Sequence, residues 1–189
     1  MYSVVNVLTE PYRMDLILSI TVCCVTMKIH MAILPIQTEL KERNKILRAM
    51  SQEVKDIGDP RIQKLIGDMH ETLENTENGV GLATPQVGKN LRMFVASPAL
   101  ELAQTVFINP VIVKISKETD SMEEGCLSVP GKYGKTRRAT SLKVEAYNEH
   151  GKKFKLKAEG LIAQLVQHEM GHLDGELFID KAKNIKTHS

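Results

Sequence analysis

The sequence predicts an α+β fold: short antiparallel strands and hairpins packed around a central C-terminal helix that carries His168-Glu169-Met170-Gly171-His172, with one N-terminal amphipathic helix. Three observations predict it. An apolar stripe of helical period follows Asp59-Pro60, short period-two runs fill the middle of the chain, and a second helical stripe lies near the C-terminus. Two helices separated by several strands is the order of an α+β fold, not the alternation of βαβ units.

Each element has its own signal. Asp59-Pro60 opens the first helix, because an Asp cap followed by Pro suits the first turn. Ile62, Leu65, Ile66, Met69 and Leu73 then recur with charged residues between them, and Asn78-Gly79 ends the helix. A glycine-rich segment, Gly79-Val80-Gly81-Leu82-Ala83, follows. Strands are expected at Arg92–Ala96, Thr105–Ile108 and Val111–Ile115, with Asn109-Pro110 breaking the last two apart. Leu142, Val144 and Ala146 alternate with polar partners, Asn148-Glu149-His150-Gly151 turns, and Phe154, Leu156 and Ala158 alternate again, which reads as a hairpin. Gly160 breaks that alternation, and Leu161 to Leu173 reads as a helix with Leu161, Ile162, Leu165 and Val166 on its apolar side.

The chain has 189 residues, 42% of them apolar and 25% charged, which suits one ordinary globular domain. That domain is placed at residues 31–181, with 182–189 as a frayed tail. Residues 1–30 read as an extension. Leu16 to Met27 is apolar but, at twelve residues, short of the roughly 20 that span a bilayer. It is either a short hydrophobic segment or sequence upstream of a start at Met27 or Met31. A net charge of +2 and 4% aromatics give no footing for direct nucleic-acid reading. Three cysteines, two of them adjacent (Cys23 and Cys24), make a poor disulfide framework and point to the cytoplasm. No membrane attachment is expected of the domain, and a monomer is.

The chemistry concentrates on the second helix. Residues i and i+4 share a helical face, so His168 and His172 can bind one ion, and Glu169 stands beside that ion, suited to taking a proton from water. The plain alternative is a polar face with two solvated histidines, but the apolar residues upstream bury this helix. A catalytic divalent ion needs a third protein ligand. The His-x-x-Gly-x-x-His solution fails, because Phe178 occupies the ligand position, and the one glutamate after His172 is Glu176 on the same segment. Cys126, in Glu123-Glu124-Gly125-Cys126-Leu127-Ser128, is the best upstream candidate, since thiolate suits a borderline-soft ion.

Three segments in this order resemble the signature motifs of the peptide deformylases: Gly79-Val80-Gly81-Leu82-Ala83-Thr84-Pro85-Gln86, Glu124-Gly125-Cys126-Leu127-Ser128 and Gln167-His168-Glu169-Met170-Gly171-His172. The resemblance covers roughly Met31 to Lys181. It implies a hydrolase of nascent-chain processing that removes the formyl group from N-terminal formylmethionine. It implies one divalent ion on Cys126, His168 and His172, typically Fe2+ and replaceable by Zn2+, Ni2+ or Co2+. Glu169 would be the general base, with Gln86 and the backbone N–H of Leu127 donating to the developing oxyanion. Val80, Gly81, Glu124, Gly125, Leu161 and Leu165 would form the substrate site, the apolar ones around the methionine side chain. N-Formylmethionyl peptides are the expected partners, and the ribosome is a candidate docking partner.

Two positions depart from the family pattern. Gly171 stands where an Asp is usual, and Thr84 replaces an Ala. Arg138 is the cation expected to have paired with the missing carboxylate. These departures keep open a catalytically impaired, metal-binding relative; the motif His-Glu-x-x-His alone keeps open a zinc metallopeptidase, against which Cys126 argues.

Overall fold

The computed structural model describes residues 31–39 and 44–187. The expected extension at residues 1–30 lies outside the described residues. Helix α1 (Pro60–Glu74) starts where Asp59 accepts a hydrogen bond from the Arg61 backbone N–H. It ends at Glu74 rather than at Asn78-Gly79, because Asn75 caps it by donating both its backbone and side-chain amides to the Glu71 carbonyl. Asn78 (φ 59°) and Gly79 form the turn that follows. A Cβ at Gly79 would lie 2.8 Å from Leu73 Cδ1, so a larger residue there would have to displace that side chain.

A five-stranded antiparallel sheet runs in the order β1-β2-β3-β6-β7, built from β1 (Gly81–Ala83), β2 (Met93–Ala96), β3 (Val106–Ile115), β6 (Ser141–Tyr147) and β7 (Lys153–Glu159). The two strands expected on either side of Asn109-Pro110 are one strand, β3, carrying a bulge. Asn109 takes φ 49°, and its side-chain amide both accepts from the Val54 N–H and donates to the Val54 carbonyl, each at 2.9 Å. Asn tolerates the left-handed region and Pro110 has no N–H to lose, so the pair bends the strand without ending it.

This sheet is covered on both faces. Leu82, Met93, Val95, Val106 and Ile108 meet Leu65, Ile66, Met69 and Leu73 of α1. Their neighbours Ala83, Phe94, Ala96 and Phe107 point the other way, with Leu142 and Val144, onto Leu165, Val166, Met170 and Leu173 of helix α2 (Gly160–Leu173). Strict alternation along each strand sorts the side chains between the two layers.

A second sheet, in the order β4-β5-β8, joins β4 (Thr119–Cys126), β5 (Val129–Ala139) and β8 (Lys183–Thr187). The expected frayed tail is therefore largely a strand, with Lys132 opposite Thr187 and Lys135 opposite Lys183. Every residue of β8 is exposed, so the backbone ladder places it and no apolar pattern announces it. Gln167 docks α2 on β5: its amide accepts from the Ala139 N–H at 2.9 Å and donates to the Ala139 carbonyl at 3.0 Å. No helix among the described residues is long and apolar enough to cross a membrane.

Candidate metal centre and its cavity

Two elements deliver the candidate ligands. One turn of α2 separates His168 from His172, and both rings turn to the same side of the helix. The β4–β5 hairpin pairs Cys126 with Val129 across Leu127-Ser128 and swings the Cys126 sulfur over that helix face. Cys126 Sγ lies 3.2 Å from His172 Nε2, and the three ligand atoms all lie within 4.8 Å of one another. A tetrahedral ion bound at 2.0–2.3 Å would want edges of roughly 3.5 Å, so the set fits with small adjustment.

The electrostatics of the cluster fit a cation. Burial alone would push the His168 pKa down, but the Cys126 and Glu124 contacts outweigh it and raise the net value, so positive charge is favoured at this point. His172 goes the other way: burial first, then the positive charge of His168, holds it well below the usual imidazole range. A neutral imidazole keeps a lone pair that could serve a metal ion. The His172 Nδ1 is buried without a partner among the described residues.

Glu124 and Arg138 take roles different from those expected. Glu124 borders the cavity but is 5% exposed, and both its oxygens are engaged. Arg138 Nε and Nη2 each donate to it at 2.8 Å, and its Oε2 is 3.1 Å from His168 Nδ1. Burial opposes the Glu124 charge, yet the bonds from Arg138 and His168 hold its pKa well below the usual carboxylate range. The carboxylate thus orients the His168 ring, leaving Nε2 to face Cys126, instead of being available to a substrate. Arg138 is committed to Glu124, so it is not the unpaired partner of position 171. At Gly171 a Cβ would meet only Glu176, at 3.8 Å or more.

Glu169 is 2% exposed, and its Oε2 has no partner among the described residues. Burial pushes its pKa up to about 7, against the pull of His168. Gly81 lies against it: a Cβ there would sit 2.6 Å from Glu169 Oε1 and 2.5 Å from Leu165 Cδ1. Gln86, on a short 3-10 turn after β1, is oriented by its own oxygen, which accepts from the Ala83 N–H at 2.8 Å. Its Nε2 then donates to Ser128 Oγ at 3.3 Å and points at Cys126 Sγ at 3.6 Å. Thr84 does not face the ligands; its hydroxyl donates to the carbonyls of Leu91 and Met93 and ties the turn to β2.

Gly81, Gln86, Glu124, Cys126, His168 and Glu169 border one cavity of about 410 Å3, while His172 and Arg138 lie behind its wall. Val80 and Leu161 lie exposed at its mouth, and Leu165 is buried in its wall. Gly125 and Leu127 line it from the hairpin side. The cavity separates two sheet edges: Gly79–Gly81 leads into β1, the outermost strand of the large sheet, and Glu123–Gly125 belongs to β4, the outermost strand of the small one. Sequence reasoning missed Tyr133, Gln164 and Ser128. Tyr133 packs against Gly125, where a Cβ would come within 2.8 Å of the ring, and the glycine in the Glu-Gly-Cys triplet was its only signal. Gln164 Nε2 donates to the Glu123 carbonyl and fastens β4 to α2; its place one turn before His168 was the available hint.

Comparison with known proteins agrees with this geometry. The family model described as Polypeptide deformylase matches residues 36–188. Peptide deformylase 1 of Clostridium perfringens is 47% identical over 138 residues, covering 72% of this chain and 91% of that protein. The peptide deformylase of a Neisseria meningitidis serogroup C strain is 46% identical over 141 residues, covering 74% of this chain and 83% of that protein. Among solved structures, a peptide deformylase from Thermotoga maritima superposes with a TM-score of 0.73 at 36% identity, covering 82% of this chain and 99% of that one. One from Ehrlichia chaffeensis in complex with actinonin gives a TM-score of 0.73 at 35% identity, covering 82% and 91%.

Proposed function

The chain belongs to the polypeptide deformylase family, and we propose from that premise how its own residues release formate from the N-terminal formylmethionine of nascent polypeptides. The observation that carries the proposal is the convergence of Cys126, His168 and His172 beside the buried Glu169 at the wall of one cavity. Cys126, His168 and His172 would hold one divalent ion, and we assign Fe2+ as the resident metal, with Zn2+, Ni2+ or Co2+ as substitutes. When bound, that ion supplies Lewis acidity, activating a water and polarising the formyl carbonyl.

The remaining work falls to the protein. Glu169 takes the proton from the attacking water and passes it to the departing amine nitrogen. A pKa near 7 suits a group that must do both. Gln86 Nε2 and the Leu127 N–H donate to the oxygen that gains negative charge; donors of this kind are worth about 3–4 kcal/mol each in comparable sites. Val80, Leu161 and Leu165 receive the methionine side chain, and Gly81 lets the substrate backbone approach. Glu124 orients His168. The cytoplasm is the compartment proposed, since it keeps the Cys126 thiol reduced.

The test is formate release from formyl-Met-Ala-Ser by anaerobically prepared protein. Glu169→Ala is expected to lower kcat by about 10²- to 10⁴-fold, the range of a lost general base, while metal content stays near one per chain. Full activity in that variant would overturn the role of Glu169.

A further inference from the structure

The segment that precedes helix α1 is not spare chain. Residues 31–39 form neither helix nor strand and are tied first to α1 by the Ala32 N–H on Asp68 Oδ1 (2.9 Å) and the Leu34 N–H on Thr72 Oγ1 (2.8 Å). Further on, the Gln37 N–H donates to the Gln86 carbonyl at 2.7 Å and the Glu39 N–H donates to the Ser128 carbonyl at 2.7 Å. In an extended chain, N–H groups two residues apart point the same way and sit roughly 6.8 Å apart. One edge of this strap therefore grips two carbonyls that adjoin different sheets. Gln86 follows β1 of the large sheet, and Ser128 lies in the β4–β5 turn of the small one. The far end is anchored as well: the Glu39 carboxylate, largely buried, accepts from Arg48 Nε and Nη2 at 3.1 Å and from the Asn44 N–H at 3.0 Å.

We infer that Gln37 and Glu39 are positioning residues for the hydrolysis: their backbone N–H groups clamp Gln86 and Ser128 at a set separation and so aim the Gln86 amide beside Cys126. The clamp acts on main-chain carbonyls, so it leaves the Gln86 side chain free to donate. Gln86 is fixed at three points, its carbonyl by Gln37, its side-chain oxygen by Ala83 and its Nε2 by Ser128. Releasing the first lets the turn rotate. The inference rests on the reading of Gln86 as a donor to the developing oxyanion, and its test separates the two.

Gln37→Pro removes the donor that holds Gln86 while Glu39→Pro removes the one that holds Ser128, and Glu39→Gln tests the anchor alone. In Gln37→Pro, kcat on formyl-Met-Ala-Ser is expected to fall about tenfold to a hundredfold, the scale of a displacement near 1 Å, with KM and metal content unchanged. Hydrogen exchange at the Ala83 amide, which reads the Gln86 side-chain oxygen without any turnover, is expected to accelerate. A double-mutant cycle assigns the route: in a Gln86→Ala background, Gln37→Pro is expected to cost nothing further. If Gln86→Ala alone leaves kcat intact, the donor reading fails. If Gln86→Ala lowers kcat while Gln37→Pro leaves both kcat and Ala83 exchange unchanged, the clamp fails. Should Gln37→Pro fold poorly, an α-hydroxy acid at position 37, which swaps the N–H for oxygen without the ring, answers the same question.

Discussion

Buried charge decides the behaviour of this site at the level of single residues. The Glu124–Arg138 pair is almost wholly out of water, with side-chain exposures of 3% and 10%. Removing one partner strands the other. Arg138→Met is expected to destabilise the protein by about 3–5 kcal/mol, read from urea denaturation, and Glu124→Gln added to it should recover part of the loss. Glu124→Ala frees the His168 ring, so metal affinity is expected to fall about tenfold to a hundredfold, measured by competition with a chelator. Gly171 asks for the opposite experiment. A Cβ there meets nothing closer than 3.8 Å, so Gly171→Ala should stabilise helix α2 by up to about 1 kcal/mol. A Tm unchanged or lowered would mean that the helix needs glycine for another reason. His168, Glu169 and His172 were legible because helical spacing is local, and Cys126 because only its chemistry completed the set. The Glu124–Arg138 contact was not. The two residues lie on paired strands but out of register, Glu124 opposite Gly134 and Arg138 opposite Asp120, so neither spacing nor pairing foretold it.

At the scale of elements, strand β3 shows how a bend can be specified by one side chain. Asn109 replaces lost ladder bonds with two of its own to Val54 and accepts a left-handed backbone. Asn109→Ala is expected to cost about 2–3 kcal/mol, from roughly 1 kcal/mol per hydrogen bond and 1 kcal/mol or more of backbone strain. Asn109→Gly, which relieves only the strain, should cost less, and equal losses in the two variants would refute the account. Asn109-Pro110 was read as a break because both residues commonly end strands. Only the partner at Val54, 55 positions away, turns it into a bulge. The β4–β5 hairpin escaped for a related reason: its strands show no apolar alternation, and its turn, Leu127-Ser128, lacks the Gly, Asn or Asp that usually announces a two-residue hairpin.

For the whole molecule, protonation links stability to pH through a histidine on a different helix from the candidate ligands His168 and His172. His70, on α1, has a buried Nδ1 without a partner among the described residues, and burial lowers its pKa against the pull of Glu74 and Glu149. The unfolded chain takes up this proton near pH 6.5 and the folded chain only at lower pH. Below about 6.5 the unfolded state binds more protons, so stability falls as pH falls through that window. His70→Gln should flatten the decline in Tm between pH 7 and pH 5, and an unchanged slope would assign the decline to other groups. The sandwiching of the large sheet between two helices belongs to this scale too. Met93–Ala96 and Val106–Ile108 are apolar without interruption, which marks strands covered on both sides, but which helix covers which side depends on the packed chain.

The gap between the outermost strands of the two sheets has a consequence for clientele. A polypeptide of any sequence carries the backbone groups that pair with a strand edge, whatever its side chains. A guest lying between them would be read as backbone, with only its leading residue inspected in an apolar recess. On the proposed function, such a reader would be indifferent to most of what distinguishes one newly made protein from another.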